Sequence, residues 1–324
     1  MNLVRMAAAS VFSVAMLGTA SAQVMGIVTT PAGSFTNSVG AAVAKVLVDN
    51  GGMHATVSPQ QSHGMEPVND GSAELSIATL SDVQQYVTGT VDYAGRGPKQ
   101  NIRLIARMVP LTTVAYVRKD SPIKTLSDIK GKRISVTYHA QKAVWRVVQA
   151  ELATVGLGEK DVQGLLCQNI IDAANDFAAG KTDVFWFALG SAKVKQVAAT
   201  VGGLRTLKIP TTPEAVKAMN QYVPGSYPLM IKPAPQLDGV LEPMPVMAYD
   251  LVLFTRATLA DDLVYKIAKT VHDNKKDMAA VFRPMAGFQP DRMAAKYEVL
   301  QYHPGAIKFY KEIGEWPPKH APGT

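Results

Sequence analysis

The chain has 324 residues, which is long enough for two domains that each bury a hydrophobic core. An apolar fraction of 47% excludes a largely disordered protein. The net charge is +7, but the lysines and arginines are scattered along the sequence and form no stripe, which argues against nucleic-acid binding. A positively charged surface favours the capture of anions by electrostatic steering.

The first 22 residues have the order of a secretory signal peptide. Arg5 precedes an apolar run over residues 6–17, and Ala20 and Ala22 form the small-residue pattern that precedes a cleavage site. The apolar run is shorter than the roughly 20 residues that a membrane-spanning helix requires. We therefore predict cleavage after Ala22 and a mature protein in the periplasm.

Strands and helices alternate from residue 24 onward. We predict strands at residues 24–29, 54–58 and 75–80, and an amphipathic helix over residues 35–49 that two glycines end. A polar loop and a short helix separate the second and third strands. This order is typical of a mostly parallel sheet flanked by helices.

A second α/β unit follows the first. Its predicted strands lie at residues 102–109, 113–118, 133–137, 165–168, 184–187 and 204–209, and its predicted helices lie at residues 125–129, 142–155, 170–179 and 191–200. Residues 210–246 are rich in proline and glycine, which predicts a loop-rich crossing segment. An apolar strand over residues 246–254 and one long amphipathic helix over residues 258–280 come next.

Several phrases of the sequence resemble one family closely. They are Ser81-Asp82, VRKDSPIKTL at 117–126, DIKGKR at 128–133, ADDLVY at 260–265 and His303-Pro304-Gly305-Ala306. Together, and in this order over nearly all of the mature chain, they resemble the TAXI family of solute receptors of TRAP transporters. The resemblance implies an α/β fold of the periplasmic-binding-protein type II, in which two α/β lobes joined by a hinge close on a ligand in the cleft.

The resemblance also implies where the chain passes between the lobes. Residues 23–117 and 247–324 would form lobe I, and residues 118–246 would form lobe II. The sequence pattern places the joints similarly, because one α/β unit is followed by a second unit, a loop-rich segment and a returning strand.

Candidate ligand contacts fall in loops that join strands to helices. In open α/β sheets, ligands bind beyond the carboxyl ends of the strands. The free N–H groups and the dipole of a helix N-terminus there favour a carboxylate. The first such loop contains Thr30, Gly33, Ser34 and Phe35, and a second contains Ser81. For the serines the alternative is a purely structural role as helix caps.

A third loop follows the strand predicted at residues 133–137. The resemblance implies a Gly-Ser-Gly-Thr cradle at this place, whose backbone amides hold the ligand carboxylate, and this chain lacks it. We expect Tyr138, His139 and Gln141 to supply other donors and to change the specificity from glutamate-type ligands. The alternative for His139 is a solvated loop residue.

An aromatic strand near residues 185–187 supplies the last candidates. Aromatic side chains that alternate on a strand belong mostly to the core, but we predict that one of them, Trp186 or Phe187, forms a wall of the pocket. The resemblance implies that the loop after this strand lines the cleft, which adds Ala188 and Gly190.

The sequence has no motif for catalysis or metal binding. It lacks a G-x-S-x-G nucleophile elbow, and its six histidines have no metal-ligand spacing. We therefore predict a monomeric, non-enzymatic receptor without cofactor or metal. It would deliver a small carboxylate-bearing solute, either an organic anion or an amino acid, to the membrane subunits of a TRAP transporter. The alternatives are an ABC-type binding protein, a periplasmic ligand sensor and, in another class, a secreted enzyme.

Overall fold

The structure is a computed structural model that describes residues 24–61 and 64–321. The predicted signal peptide, residues 1–22, lies outside these described residues. None of the helices in the described ranges combines the length and the apolar character that crossing a bilayer demands.

Strands and helices alternate along most of the chain. The strands are β1 Met25–Thr29, β2 Ala55–Pro59, β3 Leu75–Thr79, β4 Ile102–Arg107, β5 Leu111–Arg118, β6 Arg133–Val136, β7 Gln163–Leu166, β8 Phe185–Ala188, β9 Leu204–Leu207, β10 Tyr227–Ile231, β11 Met244–Tyr249 and β12 Leu251–Arg256. The helices are α1 Phe35–Asp49, α2 Met65–Asp70, α3 Leu80–Thr88, α4 Lys142–Ala153, α5 Ile170–Ala178, α6 Ala192–Val201, α7 Pro213–Tyr222, α8 Asp261–Asp273, α9 Lys275–Val281 and α10 Pro304–Glu312.

The first sheet has the strand order β2-β1-β3-β12-β4. Strand β1 is parallel to β2 and β3, as the alternation of strands and helices predicts. Strand β12 is antiparallel to both of its neighbours, because it enters the sheet from the opposite direction after the second sheet is complete. The sheet is therefore mixed, and the prediction of a mostly parallel sheet holds for its first three strands. This sheet and its helices are called lobe I below.

The second sheet has the order β10-β11-β5-β8, and β9 also pairs with β5. All of these pairs are antiparallel. The parallel pair β6 and β7 adjoins this sheet, since Ile134 bridges to Val184, one residue before β8. This second sheet and the helices that pack on it are called lobe II.

The chain passes between the sheets through two short connections. Strand β4 ends at Arg107 in the first sheet and β5 begins at Leu111 in the second. On the return, β11 ends at Tyr249 and β12 begins at Leu251, so Asp250 alone separates the two sheets. The predicted boundaries at residues 117 and 246 thus lie inside strands of the second sheet. The sequence does not indicate this change of sheet, because residues 246–254 form one apolar run and both strands that share it are buried.

Two other segments differ from the sequence prediction. Residues 210–246 contain α7 and β10 as well as loops, and Thr212 caps α7 by accepting a hydrogen bond from the N–H of Ala215. The long helix predicted over 258–280 is two helices that meet at Asn274. The side-chain amide of Asn274 donates to the carbonyl of Thr270 at 2.7 Å, a local bond that competes with helix continuation.

The Gly305→Ala variant should be destabilised, because α10 starts against the backbone of α8. A Cβ at Gly305 would lie 2.1 Å from the carbonyl oxygen of Asp261 and 2.9 Å from the backbone N of Tyr265. Backbone atoms cannot rotate away, so we expect the free energy of unfolding to fall by about 1–3 kcal/mol in urea denaturation. Gly158→Ala is the control, since the nearest atom to its Cβ is 4.0 Å away. Equal stability of both variants would contradict the close approach.

Candidate functional site

A cavity of about 70 Å³ lies between the two lobes. Its lobe I wall is mostly polar and is formed by Thr30, Ser34, Phe35, Thr36, Thr79, Ser81, Asp82 and Gln85. Its lobe II wall is mostly apolar and includes Leu111, Val144, Val147, Ile170, Trp186, Phe187, Ala188, Val223 and Tyr249, with Thr113, Gln141, Ala143 and Arg146 between them. The cavity therefore joins a hydrogen-bonding face to a hydrophobic one.

Four helices begin at this cavity. They are α1 at Phe35, α3 at Leu80, α4 at Lys142 and α5 at Ile170, and residues of the cap or first turn of each line the wall. The first N–H groups of a helix have no partner inside it, and its dipole places partial positive charge at that end. At α5 these N–H groups already donate to the side chains of Gln141 and Asn169, and at α3 the carboxylate of Asp82 lies in the first turn. The starts of α1 and α4 have no acidic residue in the first turn, so these two ends favour an anion.

Three hydroxyl groups form a cluster at the start of α1. The Oγ1 of Thr30 lies 2.7 Å from the Oγ of Ser34 and also contacts the Oγ1 of Thr36, and Ser34 and Thr36 are 3.3 Å apart. All three side chains are buried. Ser34 caps the helix by accepting from the N–H of Asn37 at 3.2 Å. Because hydroxyl hydrogens rotate freely, this cluster can turn donors toward a ligand at the cavity wall.

The apolar wall is fixed by a buried carboxyl group behind it. Trp186 is 1% exposed, and its Nε1 donates to Oε2 of Glu151 at 3.0 Å. Thr113 donates to Oε1 of the same carboxyl at 3.1 Å. Burial raises the pKa of Glu151 to about 7, against the opposing effect of these hydrogen bonds. Glu151 therefore orients two groups that line the cavity without lining it itself.

The charged groups of the wall are already engaged within the protein. Arg146 is the one cation among the described residues that line the cavity, and its Nη2 forms an ion pair with Asp92 of lobe I. Asp82 is 2% exposed, lies in the first turn of α3 and accepts from the hydroxyl of Tyr93 at 3.3 Å. The Arg146–Asp92 pair also joins the two lobes directly.

Further contacts close the lobes on one another. The N–H of Lys193 in lobe II donates to the carbonyl of Gly33 in lobe I at 3.3 Å. Asn169 donates from its side-chain amide to Oε1 of Gln61 at 2.8 Å. A Cβ at Gly190 would lie 3.0 Å from Cγ of Pro284, so the two lobes are also close together at this point. The two lobes are thus in direct contact beside the cavity.

Most of the predicted site residues line this cavity. They are Thr30, Ser34, Phe35, Ser81, Gln141, Trp186 and Ala188. Gly33 and Gly190 do not line it but lie where the lobes meet, and their φ values of +87° and +76° are ones that glycine adopts readily.

The loop expected to replace the carboxylate cradle is arranged differently. Tyr138 is fully buried and does not line the cavity. The N–H groups of His139 and Ala140 donate to the carbonyls of Cys167 and Gln168 at 3.1 and 2.9 Å, so these amides are used inside lobe II. His139 lines a second, more polar cavity of about 200 Å³. Gln141 alone of the three predicted residues reaches the first cavity.

Several lining residues were missed by the sequence reasoning. Gln85 lies one helical turn after Ser81 on the same face of α3, and this i, i+4 spacing would have predicted it. Thr36 belongs to the same cap as Ser34. Leu111, Thr113 and Tyr249 carry no such signal, because they reach the cavity only through the pairing of β5 with β11.

Solved structures of other proteins are similar to this chain. A solved structure described as a periplasmic transporter is similar over 90% of this chain and 92% of its own, with a TM-score of 0.57 and 17% identity. An alkanesulfonate-binding protein from Xanthomonas axonopodis pv. citri bound to MOPS matches over 83% of this chain and 85% of its own, with 18% identity and a TM-score of 0.49. The chain has the type II fold of periplasmic binding proteins, with two α/β lobes and a cleft. Residues 27–314 match the NMT1-like family, and the chain belongs to that family.

Proposed function

We propose that this protein is a periplasmic solute receptor that holds a small carboxylate-bearing solute between its lobes and delivers it to membrane transport subunits. The observation that carries the proposal is the cavity between the lobes, at whose wall the helices α1 and α4 begin. Helix N–H groups and the hydroxyl cluster at Thr30, Ser34 and Thr36 would donate to the carboxylate. The apolar wall of lobe II would cover the rest of the solute.

Closure of the lobes is the signal that such a receptor sends. The cavity has walls from both lobes, so a solute that contacts both stabilises the closed form over the open one. The connections at residues 108–110 and at Asp250 are the proposed hinge. Binding would then require no chemical step, cofactor or metal, and the receptor would act as a monomer.

The membrane partner that we propose is a TRAP transporter of the TAXI type. The support is the resemblance of residues 117–133 and 303–306 to that family. An ABC-type permease is the alternative partner. Uptake of a bound solute is reconstituted with TRAP membrane subunits and, separately, with ABC membrane subunits. Uptake with only one of them identifies the partner.

Solute binding is tested by thermal-shift screening of purified mature protein. The panel contains carboxylates, amino acids, aromatic acids and their neutral amides, and we expect carboxylates to raise the melting temperature. If only neutral compounds did so, the carboxylate proposal would be wrong. Conversion of a binding compound to product by the purified protein would favour an enzyme. Unchanged uptake in a deletion strain would favour a sensor.

Thr36→Val should weaken binding of the best carboxylate from that screen about tenfold, because a hydrogen bond to a charged group is lost. The change keeps the shape of the side chain and removes only its hydroxyl group. Isothermal titration calorimetry measures the Kd, and the melting temperature without ligand checks the fold. Thr200→Val is the matched control, since Thr200 is an exposed threonine on α6. Equal Kd values for both variants would show that the hydroxyl cluster does not contact the ligand.

A further inference from the structure

One ion pair crosses from lobe II to lobe I at the edge of the first cavity. Nη2 of Arg146 on α4 donates to Oδ2 of Asp92, which lies in a single 3-10 turn, Val91–Tyr93, after α3. Among the ion pairs between described residues, it alone joins the lobes away from the connections at 108–110 and Asp250. Because its partners belong to different lobes, the pair can exist only while the lobes are together.

The pair is largely shielded from water. The side chains of Arg146 and Asp92 are 13% and 20% exposed, whereas those of Lys45 and Asp49, which form a surface pair on α1, are 58% and 49% exposed. Exposed pairs contribute little, since water screens them and two flexible side chains must be ordered. Partial burial weakens that screening, so the Arg146–Asp92 pair can stabilise the contact between the lobes.

Lobe I holds Asp92 in a fixed position. The hydroxyl of the neighbouring Tyr93 donates to Asp82 at 3.3 Å, and its ring packs edge-on against Tyr86 with the centroids 5.2 Å apart. Val91, on the other side, has a φ of +54°, a conformation that a β-branched residue rarely adopts. Such backbone strain persists only where the surrounding structure imposes it, and it is concentrated at functional segments.

The pair lies at the boundary between the two cavities. Arg146 lines the first cavity and Asp92 lines the second, which has a volume of about 200 Å³. Asp82, Gln141 and Ala143 line both. The ion pair therefore joins the lobes directly beside the space in which the solute would be held.

Building on the proposed function, in which closure of the lobes retains the solute, we infer that the Arg146–Asp92 pair is a latch that stabilises the closed form and slows its opening. The contacts from Lys193 to Gly33 and from Asn169 to Gln61 also join the lobes, but they are hydrogen bonds between neutral groups. A hydrogen bond between charged groups is roughly twice as strong. The latch would thus determine how long a solute stays bound.

A distance measurement on the full mature protein without solute tests the latch. Spin labels are attached at Val48→Cys on α1 and Thr200→Cys on α6, both exposed positions, while the native Cys167 is buried. Double electron–electron resonance then gives the fractions of molecules with the lobes together and apart. We expect a closed population in the otherwise unchanged protein, and a closed-to-open ratio about fivefold lower after Asp92→Asn or Arg146→Gln.

A charge exchange and a matched control separate the latch from a general effect on the fold. Combining Asp92→Arg with Arg146→Asp should raise the ratio above that of variants with either exchange alone. Asp183→Asn, which breaks an ion pair with Arg133 inside lobe II, should leave the ratio unchanged. Melting temperatures check that each variant is folded.

Three results would overturn the latch. They are the absence of a closed population without solute, an equal ratio after Asp92→Asn, and no recovery in the charge exchange. Since the measurement contains no solute, each of these results leaves the proposed carboxylate receptor standing. Failure of every carboxylate in the thermal-shift screen would overturn that proposal instead, without changing the measured distances.

Discussion

Asp250→Asn should lower the free energy of unfolding by about 3 kcal/mol or more, because it leaves Arg107 buried without its counter-charge. Asp250 and Arg107 are 2% and 4% exposed, and Nε of Arg107 lies 3.0 Å from Oδ1 of Asp250. The pair links the two connections between the lobes, since Arg107 ends β4 and Asp250 separates β11 from β12. Removal of one partner from a buried ion pair is costly because the other cannot regain its hydration.

The same carboxylate also joins the lobes through two tyrosines. Tyr227 of lobe II donates to Oδ1 at 3.3 Å, and Tyr297 of lobe I donates to Oδ2 at 3.0 Å. Urea denaturation of Asp250→Asn is compared with that of Asp49→Asn, which breaks the exposed pair with Lys45. We expect the control to lose less than about 0.5 kcal/mol. Losses of similar size in the two variants would contradict an energetic role for the buried pair.

Stability should fall with rising pH because of Glu151, and Glu151→Gln should remove this dependence. Burial raises the pKa of Glu151 from its ordinary value of 4.5 to about 7, so the folded state holds this proton more tightly than the unfolded state. Its contribution to the free energy of unfolding is then complete below pH 4.5, decreases through the interval and is lost above pH 7. The loss is of the order of 3 kcal/mol for one buried carboxyl group.

Titration of neighbouring groups should not mask this pH effect. Among the described residues, the buried tyrosines Tyr116 and Tyr249 interact with Glu151, and burial raises the pKa of both, so they stay neutral in this range. Stability is measured in urea at pH 5 and pH 8 for the wild type, Glu151→Gln and the exposed control Glu298→Gln. From pH 5 to pH 8 the free energy of unfolding of the wild type should fall relative to that of Glu151→Gln. A constant difference would show that Glu151 does not hold its proton in the fold.

The sequence predicted the parts of the fold that depend on local patterns. Strands β1 and β3, helix α1 and the loops at Ser34 and Ser81 follow from apolar periodicity and capping residues, and these loops do reach the cavity. The change of sheet at Asp250 was not predictable in this way, because β11 and β12 are both apolar and only one residue separates them. The position of β5 in the second sheet was not predictable either, because it depends on pairing with β8, β9 and β11, which lie far away in the sequence.

The loop at residues 138–141 shows a second limit of sequence reasoning. Tyr138 and His139 carry polar groups at the position of a ligand loop, which predicts contact with the solute. The backbone instead turns through positive φ at Thr137 and Tyr138, which buries the tyrosine in lobe II and sends His139 to the second cavity. Two residues in the left-handed region have no signature in a sequence that lacks glycine there.

The one-residue connection at Asp250 determines how a solute can enter. Two tethers this short, at 108–110 and at Asp250, permit the lobes to rotate about a line through both of them but not to slide apart. Such a rotation separates first the contacts that lie farthest from that line. Opening by such a rotation breaks the hydrogen bonds that join the lobes, from Lys193 to Gly33 and from Asn169 to Gln61.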